Sequence, residues 1–163
     1  MQTFLPFPDF HKCAQVLDRQ RLGKQRVECK QILIALTENR GWVNHPATKM
    51  WKDYEQALAI YMLHMTNEWQ ERGYKDTCAE WLMSTKTFMS IDELDSSFDV
   101  QMPSWLGDER LHKSHRIALL CKDYYHYCNF GWDEAEPIPL YYEYFWPTLS
   151  ADYGGTGDGI LRK

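Results

Sequence analysis

The sequence predicts an all-α fold, a single compact domain of about three main helices followed by an aromatic-rich C-terminal segment. Three observations carry this. Apolar residues recur at three- and four-residue steps through several stretches, no stretch alternates strictly between apolar and polar residues, and no internal repeat is present. The 163 residues, 44% hydrophobic and 25% charged, fit one domain with a sizeable core.

The elements follow in order. Residues 1–8 are apolar with Pro6 and Pro8 and should lie extended. Asp9 can cap a short helix over about residues 10–17, and Asp18 can cap a longer one reaching Glu38, with Gly41 beyond its end. Leu22, Val27, Cys29, Ile32, Leu33 and Leu36 form its expected buried side. A second long helix should start near Pro46 and close at Gly73, with Trp51, Tyr54, Leu58, Tyr61, Met65 and Trp69 on one stripe. Residues 76–84 suit a short helix. Residues 85–107 lack a sustained period, carry Asp92, Glu93, Asp95 and Asp99, and read as an acidic loop insertion. Asp108 caps a third helix over about 109–122, and residues 148–163 form a Gly-rich tail in which no hairpin is expected.

Composition narrows the function classes. There is no apolar run of 18 residues and no signal-peptide pattern, so neither a membrane partner nor export is expected. Five cysteines without a C-x-x-C motif read as reduced thiols, which gives a cytoplasmic expectation. A net charge of -5 argues against nucleic-acid binding by bulk charge and leaves room for a local basic patch. Seven Trp, ten Tyr and seven Phe exceed what such a core needs, so some aromatics are available to a ligand.

The stretch DRQRLGKQRVEC, residues 18–29, supplies that patch. Arg21, Lys24 and Gln25 fall within about a quarter-turn of Glu28 on a helix, with Arg26 adjacent. In one reading Lys24 and Glu28 are a solvated pair worth only about 0.3–0.5 kcal/mol. In the other, the cations hold a polyanion and the carboxylate faces the bound ligand. Periodicity leaves both open.

The order of residues in RQRLGKQRVEC resembles the active-site helix of the pyrimidine-dimer DNA glycosylases, the family of phage endonuclease V, in which Q-x-L precedes a catalytic Glu. Gln20 and Leu22 match the Q-x-L, and Glu28 matches the glutamate. NHPATKMWKDYEQAL through EWQERGYK is similar to that family's second helix, which opens with a His, and HKSHRIALLCKDYYHY to its third helix and Tyr-rich segment. The chain departs from the phage enzyme at Val27, where a basic residue precedes the glutamate there, and at Arg21, where the phage enzyme has His.

The resemblance implies a DNA repair N-glycosylase with abasic-site lyase activity and no cofactor. The nucleophile would be the α-amine of Met1, which attacks C1′ of the damaged nucleotide to form a Schiff base that supports β-elimination. An α-amine, with an ordinary pKa of about 7.7–8.0, suits this better than lysine at about 10.4. Gln2 is too large for the usual removal of the initiator residue, so Met1 should be retained. Glu28 would orient the amine, stabilise positive charge at C1′ and move protons. Gln2, Arg21, Lys24, Gln25, Arg26, His115, Arg116 and Lys122 would contact DNA, largely its phosphates. Tyr124, Tyr125 and Tyr127 would accommodate unstacked bases. The expected partner is double-stranded DNA with damaged or modified bases, bound by a monomer in the cytoplasm, nucleoid-associated or in a phage-infected bacterial cell.

Other readings fit the same residues. A metal could be sought among His112, His115, Cys121, His126 and Cys128, but their spacing fits no common zinc pattern, and no metal is expected. The same helix could serve a glycosylase for a different modified base, or a non-catalytic DNA-binding module.

Overall fold

The computed structural model describes residues 1–85 and 99–162. Seven α-helices lie among them: α1 (Phe10–Val16), α2 (Arg19–Glu38), α3 (Pro46–Trp51), α4 (Glu55–Glu71), α5 (Cys78–Ser84), α6 (Glu109–Lys122) and α7 (Tyr124–Tyr127). Two strands, β1 (Phe145–Ser150) and β2 (Asp158–Ile160), pair antiparallel. Packing resolves the chain into two compact units, Met1–Thr3 with Arg19–Ser104 and Phe4–Asp18 with Trp105–Lys163.

The first unit is built by α2 to α5, with α2 packed chiefly on α4. Leu22, Cys29, Ile32 and Leu33 of α2 are fully buried, as the three- and four-residue spacing requires, whereas Val27 is exposed. Residues Ala57–Leu63 of α4 are buried on every side, which marks α4 as the central helix. Gly23 sets the closeness of the two helices, since a Cβ there would meet the Trp69 ring at 3.1 Å. The helix expected to run unbroken from Pro46 to Gly73 is instead divided into α3 and α4. Asp53 adopts a left-handed φ of 69°, which interrupts the helical path between Trp51 and Glu55.

In the second unit, Asp9 Oδ1 accepts from the Lys12 N–H at 3.0 Å and caps α1. Asp108 Oδ1 accepts from the Arg110 N–H at 3.0 Å at the start of α6. The C-terminal residues expected to be a tail form the β1–β2 pair. Phe145 and Trp146 of β1 are buried, and the connection turns through Gly154 at φ 85°. Gly155 is needed for closeness, because a Cβ there would lie 2.5 Å from the Leu149 carbonyl carbon. The fold is therefore mostly helical with a small sheet, and among the described residues it has seven α-helices rather than about three. Of the loop expected over 85–107, residues 86–98 lie outside the described residues, and Asp99–Gly107 form no helix or strand. No described helix is long and apolar enough to cross a membrane.

Candidate active site

The first unit gathers the chain's start onto α2. Gln25 and Trp51 bind residues 2 and 3 in place, and Tyr61 braces Gln25. Gln25 Nε2 donates to the Gln2 carbonyl at 2.8 Å and to Glu28 Oε2 at 3.1 Å, which the i, i+3 spacing on α2 permits. Tyr61 of α4 donates its hydroxyl to Gln25 Oε1 at 2.7 Å, so both ends of the amide are occupied. Trp51 of α3 donates from Nε1 to Thr3 Oγ1 at 2.9 Å. Thr3, Gln25, Trp51 and Tyr61 are all fully buried, where each bond counts for more than at the surface.

The Glu28 carboxylate also accepts from the Gln2 backbone N–H. Burial pushes its pKa above the usual carboxylate range, and the Met1 amine, the Gln2 N–H, Lys24 and Gln25 act in the opposite direction. Lys24 is exposed and acts on Glu28 through charge, while Arg21 is half-buried. Glu28 is thus a partly desolvated carboxylate that a terminal amine and two N–H donors favour in its charged form. Such a group is suited to orient an amine and to exchange a proton with it.

His45 is a further candidate that the charge pattern of α2 did not reveal. It caps α3, with Nδ1 accepting from the Ala47 N–H at 3.0 Å. An accepting Nδ1 requires the neutral ring to carry its proton on Nε2. Burial lowers the His45 pKa and the Met1 amine lowers it further, which places the imidazole within electrostatic reach of that amine. The loop before it exposes Trp42 by 56%, with its ring edge-to-face on His45 at 6.1 Å. The His opening the second helix was visible as a family resemblance, but no periodic signal tied it to the chain's start.

Gln2 is 4% exposed. Its Oε1 accepts from the Thr3 N–H at 2.9 Å, and its buried Nε2 has no hydrogen-bond partner among the described residues. An unmet buried donor costs about 1–3 kcal/mol. A ligand oxygen would relieve that cost.

Several residues expected at the DNA do not fit that role. Arg26 is ion-paired with Asp76, its guanidinium lies 4.3 Å from the Trp69 ring centre, and its side chain is only 12% exposed. Gln25 is turned inward. In the second unit, His115 is fully buried, accepts from the Leu5 N–H through Nδ1 at 2.8 Å, and has its pKa pushed down to about 3 by burial. It is a neutral core histidine rather than a phosphate donor. Arg116 donates to both oxygens of Glu134, at 3.0 and 2.8 Å, to the Pro6 carbonyl at 3.0 Å and to Glu109, which leaves its guanidinium spent on the protein.

Lys122 is exposed and donates to the Tyr142 hydroxyl at 3.0 Å. Tyr127 is fully buried, stacked on Trp132 at 5.7 Å and bonded to Asp18, so its ring is not available to a base. Tyr124 is half-buried and donates to the Ala135 carbonyl at 3.1 Å, whereas Tyr125 is 88% exposed. All five cysteines are free thiols. His112 is occupied at both ring nitrogens, by Leu5 and Gly107, and no group of metal-binding side chains occurs among the described residues.

No curated protein and no solved structure matches the chain. The family model described as pyrimidine dimer DNA glycosylase matches residues 1–81, the stretch that holds Met1, Gln25, Glu28, His45 and Tyr61. Through those residues the chain belongs to the pyrimidine dimer DNA glycosylase family.

Proposed function

We propose that the protein is a DNA N-glycosylase with abasic-site lyase activity, acting on pyrimidine dimers through the Met1 α-amine and Glu28. The observation that carries the reading is the set of bonds around residue 2. The Gln2 N–H reaches the Glu28 carboxylate and the Gln2 carbonyl is held by Gln25, which tethers the amine beside a desolvated carboxylate.

The chemistry follows from these groups. The unprotonated amine attacks C1′, and the base leaves with the electron pair of the glycosidic bond and takes up a proton. Opening of the C1′–O4′ bond then gives an iminium, whose positive charge Glu28 stabilises. Loss of a C2′ proton to a base breaks the C3′–O bond and releases the 3′ phosphate, and water hydrolyses the remaining imine. Glu28, adjacent to the amine, is the group able to carry protons through these steps. Lys24 and Arg21 supply positive charge on the same helix for the DNA backbone, and the Gln2 Nε2 donor suits a sugar or phosphate oxygen.

Borohydride reduction in the presence of a duplex containing an abasic site tests this reading. The expected result is a covalent protein–DNA complex whose cross-link maps to Met1 and which disappears when the terminus is blocked. Trapping elsewhere, or none, overturns the mechanism. DNA binding that survives with no adduct and no cleavage would favour a non-catalytic module. Excision from another modified base, with none from a pyrimidine dimer, would keep the mechanism and change the lesion.

A further inference from the structure

The amide of Gln25 lies one helical turn before Glu28, is fully buried and is bonded at both ends. Its two Nε2 hydrogens go to oxygens that can only accept, the Gln2 carbonyl and the Glu28 carboxylate, while Oε1 receives the Tyr61 hydroxyl. Rotating the amide by half a turn would set Oε1 against those two oxygens, which is repulsive. Removing the Tyr61 hydroxyl would leave Oε1 without that donor in a dry interior and loosen the amide about its last torsion. One side chain on α4 thereby governs how firmly α2 holds residue 2 beside Glu28.

We propose that Tyr61 and Gln25 form a positioning pair for the reacting groups, in which the Tyr61 hydroxyl locks the Gln25 amide so that Nε2 holds the Gln2 carbonyl and the Glu28 carboxylate in register. The proposal rests on the reading of Met1 and Glu28 as the reacting amine and carboxylate. Neither Tyr61 nor Gln25 touches the reacting atoms of the DNA in this scheme. Their effect is on the distance and protonation of the pair that does. A plain structural tie between α2 and α4 would alter stability alone.

The test is single-turnover borohydride trapping on abasic duplex DNA, across pH, with wild type, Tyr61→Phe and Gln25→Glu. Wild type comes first, and its failure to trap at Met1 would fall on the mechanism itself and take the positioning role with it. Given wild-type trapping, Tyr61→Phe should lower the rate at saturating DNA by about tenfold or more, since small misplacements of reacting groups are costly, with half-saturating DNA changed by less than about threefold.

Gln25→Glu keeps the acceptor for Tyr61 and replaces the donor with a second carboxylate beside Glu28, so the acid limb of the pH–rate profile should move to higher pH. Thermal melts establish that each variant is folded at the assay temperature. If Tyr61→Phe does not fold, the Gln25→Glu profile decides. Saturating rates and pH profiles that superimpose on wild type, or a loss confined to DNA affinity, overturn the proposal.

Discussion

Two basic helices, α2 in the first unit and α6 in the second, look alike in sequence and differ in how a central charged residue, Glu28 on one and Arg116 on the other, is partnered. Each carries several cations and histidine or glutamine among them. On α6, Arg116 is bonded to Glu134, Glu109 and a backbone carbonyl, and its side chain is 12% exposed. On α2, Glu28 is bonded to the neutral Gln25 and Gln2 groups, and Lys24 remains exposed. The Arg116 charge on α6 is neutralised to hold the fold. On α2 the Lys24 charge stays exposed beside a partly desolvated carboxylate, the kind of environment that perturbed groups at functional sites occupy.

The largest expected effect separates the two helices by activity. Glu28→Gln should lower single-turnover cleavage of abasic DNA by about a hundredfold or more, the scale of a lost general acid–base group. Arg116→Met, measured where the protein remains folded, should cleave within about threefold of wild type. A comparable loss in both would erase the distinction.

Stability should reverse the ranking. Arg116→Ala leaves Glu134, whose side chain is 10% exposed, without its main partner and should cost about 3–5 kcal/mol in urea unfolding. The double replacement Arg116→Met, Glu134→Leu should recover most of that loss, because it removes both charges. If the single and double variants unfold at the same urea concentration, the pair does not hold the second unit as described.

A finer contrast lies within α2 itself. Lys24→Ala should reduce the slope of log affinity against log salt by about 0.9, one phosphate contact, whereas Arg26→Met should leave the slope unchanged because Asp76 already neutralises that guanidinium.

That last contrast also shows what could be read from the sequence. Apolar spacing located α2, and the Asp108 cap helped locate α6, to within a residue or two, because both are local properties. Periodicity could not show the break at Asp53, because the apolar stripe runs across that position without interruption while the backbone there turns left-handed. Nor could it show which cations are spent, because the partners of Arg26 and Arg116 lie 50 and 18 residues away. Gln25 and Glu28 were visible together on one helical face. Tyr61, which fixes the orientation of that face's amide, read as one more aromatic in the α4 stripe.

The smallest effect bears on the cost of the α2 arrangement. Glu28 has a folded-state pKa raised above its ordinary value, with burial the first cause, so the native protein holds this proton to higher pH than the unfolded chain does. Stability from this group is present below the ordinary carboxylate range and is lost as pH rises through the folded-state pKa. A glutamine at the same place does not titrate and can still accept from the Gln2 N–H. The melting temperature of Glu28→Gln relative to wild type should therefore climb as pH rises from the acidic side, then level off above the folded-state pKa. Each kcal/mol appears as roughly 2–4 °C in a chain of this size. A wild type that melts higher than Glu28→Gln by a margin growing with pH would mean that the amine and the N–H donors outweigh desolvation, and that the carboxylate stabilises the fold instead of being held against it.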